Sequence, residues 1–361
     1  MKKSLKFSFI IAVYDPPEDL FRACLDSLLA QKEINFEIVA VNDGSTNDAL
    51  DILFEYDRRY PGIFKIVTQE NKGNGPAKKA GIENASGQYL WIVDQDDRVR
   101  PNCVKFLVDA LERQEADQIV FKCALVDISE KEKPFPECGE LQFREVSKEY
   151  VLANGYRAFW KRIVRKELVD KAAVDIPRSV HDDWPTTLRW TLESRKILVC
   201  ESINYFWVQN NRSITHSKYY TPEFMKSSLK TCELLHAHAM AFPEFRKWIL
   251  LEIFRSVRAN LKRINISKGL SEANDPVVKQ SFETLEREYN LWLDRYSEED
   301  KTLVFLYDEA RSGLLKHIKQ LNGEISRLKK KCKALEKSRS YRLTKPFRFL
   351  AKYLRRMVGR K

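Results

Sequence analysis

Four residues at the end of an apolar run, Asp94-Gln95-Asp96-Asp97, are the strongest chemical signal in the chain. They follow Tyr89-Leu90-Trp91-Ile92-Val93, a stretch with the composition of a buried strand. Carboxylates clustered at a strand end offer hard oxygen ligands. Mg²⁺ or Mn²⁺ held there can bridge two phosphate oxygens of a nucleotide. An acidic surface turn has the same local sequence, so the assignment depends on what lies upstream. Asp43 closes a second apolar run, Phe36 to Val41. A third acidic group, His181-Asp182-Asp183, precedes Trp184-Pro185, where Pro fits a helix start and either Asp is equally suited to cap it.

The elements that must position these carboxylates are legible as periodicity. Phe7 to Val13 is continuously apolar with β-branched members, the pattern of a buried parallel strand, and Asp15-Pro16-Pro17 closes it. Leu20, Cys24, Leu25, Leu28 and Leu29 recur at helical spacing. A strand over 36–41, a helix over 49–60, a strand over 64–68, a Gly-rich loop with a helix over 71–84, and the strand ending at Asp94 follow in turn. Strands alternating with helices predict a parallel α/β sheet with right-handed crossovers. Ligands of such sheets bind at the carboxyl ends of the strands, where both Asp43 and Asp94 fall.

Composition narrows the classes. With 361 residues, 43% of them hydrophobic, the chain can form a large core. Its apolar runs are too short to span a bilayer, and Asp15 and Pro16 interrupt the stretch after Met1-Lys2-Lys3 before any cleavage site, so the expectation is a cytoplasmic protein. Seven scattered cysteines form no CxxC pair, which argues against zinc and disulfides and for reduced thiols. His236 and His238 lack ligand company and are taken as structural. The net charge is +12, but Lys337–Lys361 holds ten Lys or Arg and no acid. The basicity belongs to that tail.

Taken together, Phe9-Ile-Ile-Ala-Val-Tyr14, Val41-Asn-Asp-Gly-Ser-Thr46, Asn71-Lys-Gly-Asn-Gly-Pro76, Ala80-Gly81, Ala85-Ser-Gly-Gln-Tyr89 and Val93-Asp-Gln-Asp-Asp97 resemble the nucleotide-sugar-binding half of family 2 glycosyltransferases with the GT-A fold. The pieces keep family order and spacing. The resemblance implies a UDP-sugar donor and a Mn²⁺ or Mg²⁺ cofactor. It assigns Asp43 to the base, Asp94 to the ribose and donor sugar, and Asp96 to the metal, with Asp94 beside it and Asp97 assisting. Val13, Tyr14, Gly73, Asn74 and Gln95 fall on the nucleotide-sugar site. Lys78 falls near the diphosphate, although a solvated helix face explains Lys78 and Lys79 as well. Gln95 and Asn42 replace the more common Ser and Asp. No Rossmann GxxG and no Walker A pattern is present.

Further on, Phe159-Trp160-Lys161-Arg162-Ile163-Val164-Arg165 resembles the entry to the family's acceptor half. His181 to Thr187 resembles the segment that carries the general base of inverting members. In that register Asp183 is the base and Asp182 replaces the usual Glu; a slip of one residue makes Asp182 the base. A carboxylate suits the removal of an acceptor-hydroxyl proton. Arg212, and more weakly His216, correspond to residues that reach the diphosphate. Trp160, Trp184, Trp190 and Trp207 are candidates for stacking on sugars or for plain core. Residues 129–148, charged and without period, read as a variable loop.

The expected domains are a catalytic unit over 1–220, with a nucleotide-sugar half to 125 and an acceptor half from 126, then a helical appendage over 221–310. Leu314, Ile318, Leu321, Ile325, Leu328, Cys332 and Leu335 follow at 4-3 spacing, a heptad seam. With Glu324 facing Lys329 and Lys331 facing Glu336, a short parallel homodimeric coil over 311–338 is one expectation, and a helix packed on its own body the other. In the tail, 339–361, Phe347, Leu350, Leu354 and Met357 share one face and Arg348, Lys352, Arg355 and Arg356 the other. That pattern suits an anionic membrane surface. Nucleic acid is the rival partner, but no nucleic-acid module accompanies the tail. Tails of this kind resemble those of bacterial polysaccharide glycosyltransferases with lipid-linked acceptors. The resulting expectation is an inverting transferase for surface polysaccharide, peripheral on the inner membrane face. The rivals are a polymerase with the same site and a non-catalytic nucleotide-sugar-binding scaffold.

Overall fold

The computed structural model describes residues 6–32, 34–127, 141–172, 176, 183–209, 222–250 and scattered positions from 252 to 291. Residues 1–296 form one compact unit and 297–361 a second, which lies outside the described residues along with the heptad seam and the basic tail.

The first half follows the alternation expected. β1 (Phe7–Val13), α1 (Glu18–Leu29), β2 (Phe36–Asp43), α2 (Ala49–Arg59), β3 (Phe64–Gln69), α3 (Asn74–Asn84) and β4 (Tyr89–Asp94) succeed one another. β1 pairs in parallel with both β2 and β4, and β2 with β3. Strand β1 shows why its sequence is apolar throughout. Phe7, Phe9, Ile11 and Val13 pack into one core with Phe21, Leu25 and Leu53, while Ile10 packs into a second core with Val39, Val41 and Ala77. Successive side chains of a strand point to opposite faces, and here helices cover both.

Helix α3 approaches the sheet unusually closely. A Cβ on Gly81 would lie 2.3 Å from Ile10 Cγ2, so only glycine allows this approach. This seats the start of α3 against the carboxyl ends of β1 and β2.

The second half adds antiparallel strands. After β5 (Arg98–Val99) and α4 (Cys103–Gln114) come β6 (Gln118–Asp127), β7 (Phe143–Val146), α5 (Lys148–Ala153), a 3₁₀ turn (Phe159–Lys161), β8 (Arg162–Arg165), α6 (Lys166–Ala172), α7 (Asp183–Glu193), β9 (Ile197–Gln209) and α8 (Pro222–Ala241). The described strands join in one sheet, ordered β3-β2-β1-β4-β8-β6-β9-β5, with β7 on β9. The expected loop over 129–148 therefore needs correction: 143–146 is a strand, antiparallel to 197–200. Arg144 and Glu145 fill its middle and are exposed, so no apolar alternation marks it. Strand β6 runs on to Asp127. A bulge near Phe121–Cys123 redirects its pairing with β9, carrying β9 past the acidic turn after β4.

Candidate functional site

The carboxyl ends of β1, β2 and β4 bring the acidic residues onto one edge. Ala12 lies beside Asp94 in the β1–β4 register, and Val13 beside Asn42 in the β1–β2 register. Asp43 is 2% exposed, and its carboxylate ties down the loop before α3. Oδ1 accepts from Gln69 Nε2 at 2.7 Å and from the Lys72 N–H at 2.8 Å; Oδ2 accepts from the Gly73 N–H at 2.8 Å. The loop geometry explains two glycines. Gly73, φ 94°, precedes α3, and Gly44, φ 73°, would carry a Cβ only 2.9 Å from the Asn71 nitrogen. Asn42 bonds the loop locally, its Oδ1 accepting from the Ser45 N–H at 3.1 Å. Asn74 and Gly75 open α3 at the same edge.

Asp94 is partly exposed, and its Oδ1 lies 3.7 Å from Lys78 Nζ. Lys78 is 4% exposed, and its ammonium stands 5.2 Å from the centre of the Phe159 ring. The solvated-face alternative for Lys78 therefore does not hold. A buried ammonium needs partners, and a carboxylate and an aromatic face are both at hand. Asp96, also half-buried, completes the turn. Among the described residues no group of three or more His, Cys, Asp or Glu is arranged to hold a metal ion.

Asp97 is different and corrects the expectation that it assists. It is 1% exposed, accepting from the Tyr205 hydroxyl at 2.7 Å and the Val208 N–H at 2.8 Å. Burial pushes its carboxyl well above the usual range, the nearby charges of Asp96 and Asp94 add to this, and the Tyr205 bond opposes it. Asp97 is a latch between the turn and β9.

Tyr14 and Gln95 form a clamp. Gln95 Oε1 accepts from the Tyr14 N–H at 2.8 Å and Nε2 donates to the Tyr14 carbonyl at 3.0 Å. Asp15, φ 42°, adds a contact that the sequence reading missed: Oδ1 accepts from the N–H groups of Thr46 and Asn47 at 2.7 and 3.1 Å. These bonds, Thr46 first, hold its carboxyl below the usual range. An Asp set directly before Pro16-Pro17 was the available signal.

Asp183 is the first residue of α7 and half-buried. Its helix is tied to the 156–162 segment. Arg162, 1% exposed, donates to Gln118 Oε1 at 2.8 Å, to the Thr187 carbonyl at 3.2 Å and to Thr191 Oγ1 at 3.1 Å, and also bonds the Tyr156 carbonyl. Burial pulls its guanidinium down to about 9, and the charge of Asp183 works against that fall. Arg157 stacks 4.5 Å over Trp184 and pairs with Glu252. Phe159, which faces Lys78, also meets Trp190 of α7 at 5.3 Å. A chain of contacts thus runs from Asp94 through Lys78 and Phe159 to α7.

Trp190 and Trp184 are buried, whereas Trp160, stacked on Tyr205, and Trp207 beside Trp160 are half-buried. Asp182, Arg212 and His216 lie outside the described residues. The five described cysteines, 24, 103, 123, 200 and 232, form no disulfide. No described helix is long and apolar enough to cross a membrane.

Residues 8–172 match the model of glycosyl transferase family 2. Over 298 residues the chain is 26% identical to YibD, an uncharacterized glycosyltransferase of Escherichia coli K12, covering 74% of this chain and 82% of YibD. Over 326 residues it is 24% identical to the poly(ribitol-phosphate) beta-glucosyltransferase of Bacillus spizizenii W23. That match covers 87% of this chain and 47% of the relative, so the chain spans about half of that protein's length. Among solved structures, residues 1–349 of S. aureus TarS in complex with UDP-GlcNAc share the fold, with a TM-score of 0.54 at 19% identity over 80% of this chain and 92% of that one. Through residues 8–172 the chain is similar to glycosyl transferase family 2, and its sheet shares the GT-A fold.

Proposed function

We propose that the chain moves a sugar from a UDP-sugar to a hydroxyl of a saccharide acceptor, in one displacement that inverts the anomeric carbon. The observation that carries this is the convergence of Tyr14, Asp43, Asp94 and Asp96 on one sheet edge, with the start of α3 beside them. Asp43 holds the 69–73 loop with three bonds and keeps one acceptor position for a base N–H. Val13, Tyr14, Gly73 and Asn74 frame the nucleotide, with Gln95 bonded to the Tyr14 backbone and Asp94 on the sugar side.

Asp94 and Asp96 fit a hard divalent cation. They offer two carboxylates, and nucleotide phosphates and water can fill the remaining positions, as Mg²⁺ and Mn²⁺ sites of this type require. Bound there, such an ion would offset the charge of the departing diphosphate. Lys78 adds a fixed positive charge behind Asp94, and Arg212 is assigned to the diphosphate.

Asp183 takes the proton. As the acceptor oxygen bonds to the anomeric carbon, the bond from that carbon to the phosphate oxygen breaks. The hydroxyl proton passes to the carboxylate, and UDP departs with the electron pair. Asp182 is the alternative base. The acceptor is assigned as lipid-linked saccharide of a bacterial surface polysaccharide, with the basic tail on the membrane; liposome binding unchanged by removal of 341–361 would remove that part.

The test is UDP release from a panel of UDP-sugars. Asp183→Asn is expected to bind UDP as wild type does and to lose turnover. Full turnover in both Asp183→Asn and Asp182→Asn would overturn the assignment of the base.

A further inference from the structure

We propose that Gln95 is a positioning residue for the nucleobase: its side-chain amide extends the β1–β4 ladder by one step and presents the Tyr14 ring to the base. The proposal rests on the donor-site reading above and adds to it the residue that shapes the base subsite.

Main-chain register between β1 and β4 runs as far as Ala12 and Asp94, after which the chain turns away over 95–96. The side chain of Gln95 takes over where the main chain leaves. It bonds both polar atoms of the Tyr14 backbone, at 2.8 and 3.0 Å. This two-point contact needs a donor and an acceptor in fixed relation. Among side chains the carboxamides supply that, and Asn is one methylene shorter.

The other flank of the ledge is held as firmly. The Asp15 N–H donates to Ser45 Oγ at 3.3 Å, and Ser45 Oγ donates to the Val13 carbonyl at 3.4 Å. The Asp15 carboxylate collects the N–H groups of Thr46 and Asn47. Residues 14 and 15 are thus fixed from the β4 side by Gln95 and from the β2 side by 45–47. The group left outward is the Tyr14 ring, 47% exposed, on the edge it shares with Asp43. An exposed aromatic ring on a fixed backbone stacks at low entropic cost. With its amide committed to Tyr14, Gln95 acts on the donor through that ring and not by touching the sugar.

The test is calorimetric titration of the full chain with UDP and with ADP. Gln95→Ala is expected to weaken UDP binding about tenfold and to narrow the preference for UDP over ADP. In a Tyr14→Ala background the same change is expected to add nothing, because the effect passes through the ring. Gln95→Glu is not expected to rescue, since an ionised carboxylate has no proton for the Tyr14 carbonyl. If the alanine variant unfolds, Gln95→Asn reads the same quantities with the amide kept and its reach shortened. Unchanged UDP affinity in the single variant, or an additive loss in the double variant, overturns the proposal while the donor reading stands. A wild-type protein that binds no UDP overturns both.

Discussion

The Tyr205 hydroxyl donates to Asp97 Oδ2 at 2.7 Å across 108 residues of sequence, and this bond fixes the turn that carries Asp94 and Asp96. The Tyr205 hydroxyl oxygen also accepts from the Asp94 N–H at 3.1 Å, so one hydroxyl holds both ends of the turn. Tyr205→Phe keeps the ring and its stacking on Trp160 but leaves a buried carboxylate oxygen with one donor fewer. The expected loss is about 1–3 kcal/mol of stability, read from urea unfolding, with weaker UDP binding in the presence of Mn²⁺. Unaltered values of both would show that the latch is not needed.

Gly81→Ala is expected to destabilise by about 1–3 kcal/mol. The new methyl meets Ile10 Cγ2, a β-branched methyl on a fully buried strand residue that cannot swing aside. Helix α3 must then lift, taking Lys78 and Gly73 with it, so UDP affinity should fall alongside the unfolding midpoint.

Asp15 gives a pH signature. Its carboxyl lies below the usual range in the folded protein. Its contribution is therefore present above the unfolded value of about 4 and is lost as pH falls through the folded value. In Asp15→Asn, which retains an oxygen acceptor and tolerates positive φ, that dependence should vanish. The stability difference between wild type and variant should stay constant from about pH 5 to 8 and shrink below about pH 4. A difference that grows on acidification would contradict the hydrogen-bonding account.

Arg157 joins Glu252, beyond the family match, to Trp184 of α7. Glu252 is 6% exposed and pairs with Arg157, which stacks on Trp184, next to Asp183. Arg157→Ala leaves that carboxylate without its cation, at a cost of about 2 kcal/mol. UDP release should slow while UDP affinity holds, because the change acts on α7 and not on the donor edge. A loss of UDP affinity instead would place Arg157 in the donor site.

What the sequence disclosed follows from distance along the chain. Phe7 to Val13 and Tyr89 to Asp94 announce themselves as strands buried on both faces, and a strand's end locates its own carboxylate. The role of Asp97 was not visible, because its partner Tyr205 sits 108 residues away and a carboxylate in an acidic turn looks the same whether buried or solvated. The Gln95 clamp was hidden for the same reason, spanning 81 residues. Lys78 stood open between a solvated face and a fixed charge. Its burial beside Asp94 and the Phe159 ring excludes the solvated face. Strand β7 was missed because its register with β9 is set by the sheet edge and not by its own charged centre.

The most direct measurement is UDP release from UDP-sugars with Mn²⁺ or Mg²⁺ and with chelator, in wild type and Asp96→Ala. The account predicts slow release from at least one donor, abolished by chelator and lost in Asp96→Ala. Release that is indifferent to chelator and intact in Asp96→Ala would contradict it.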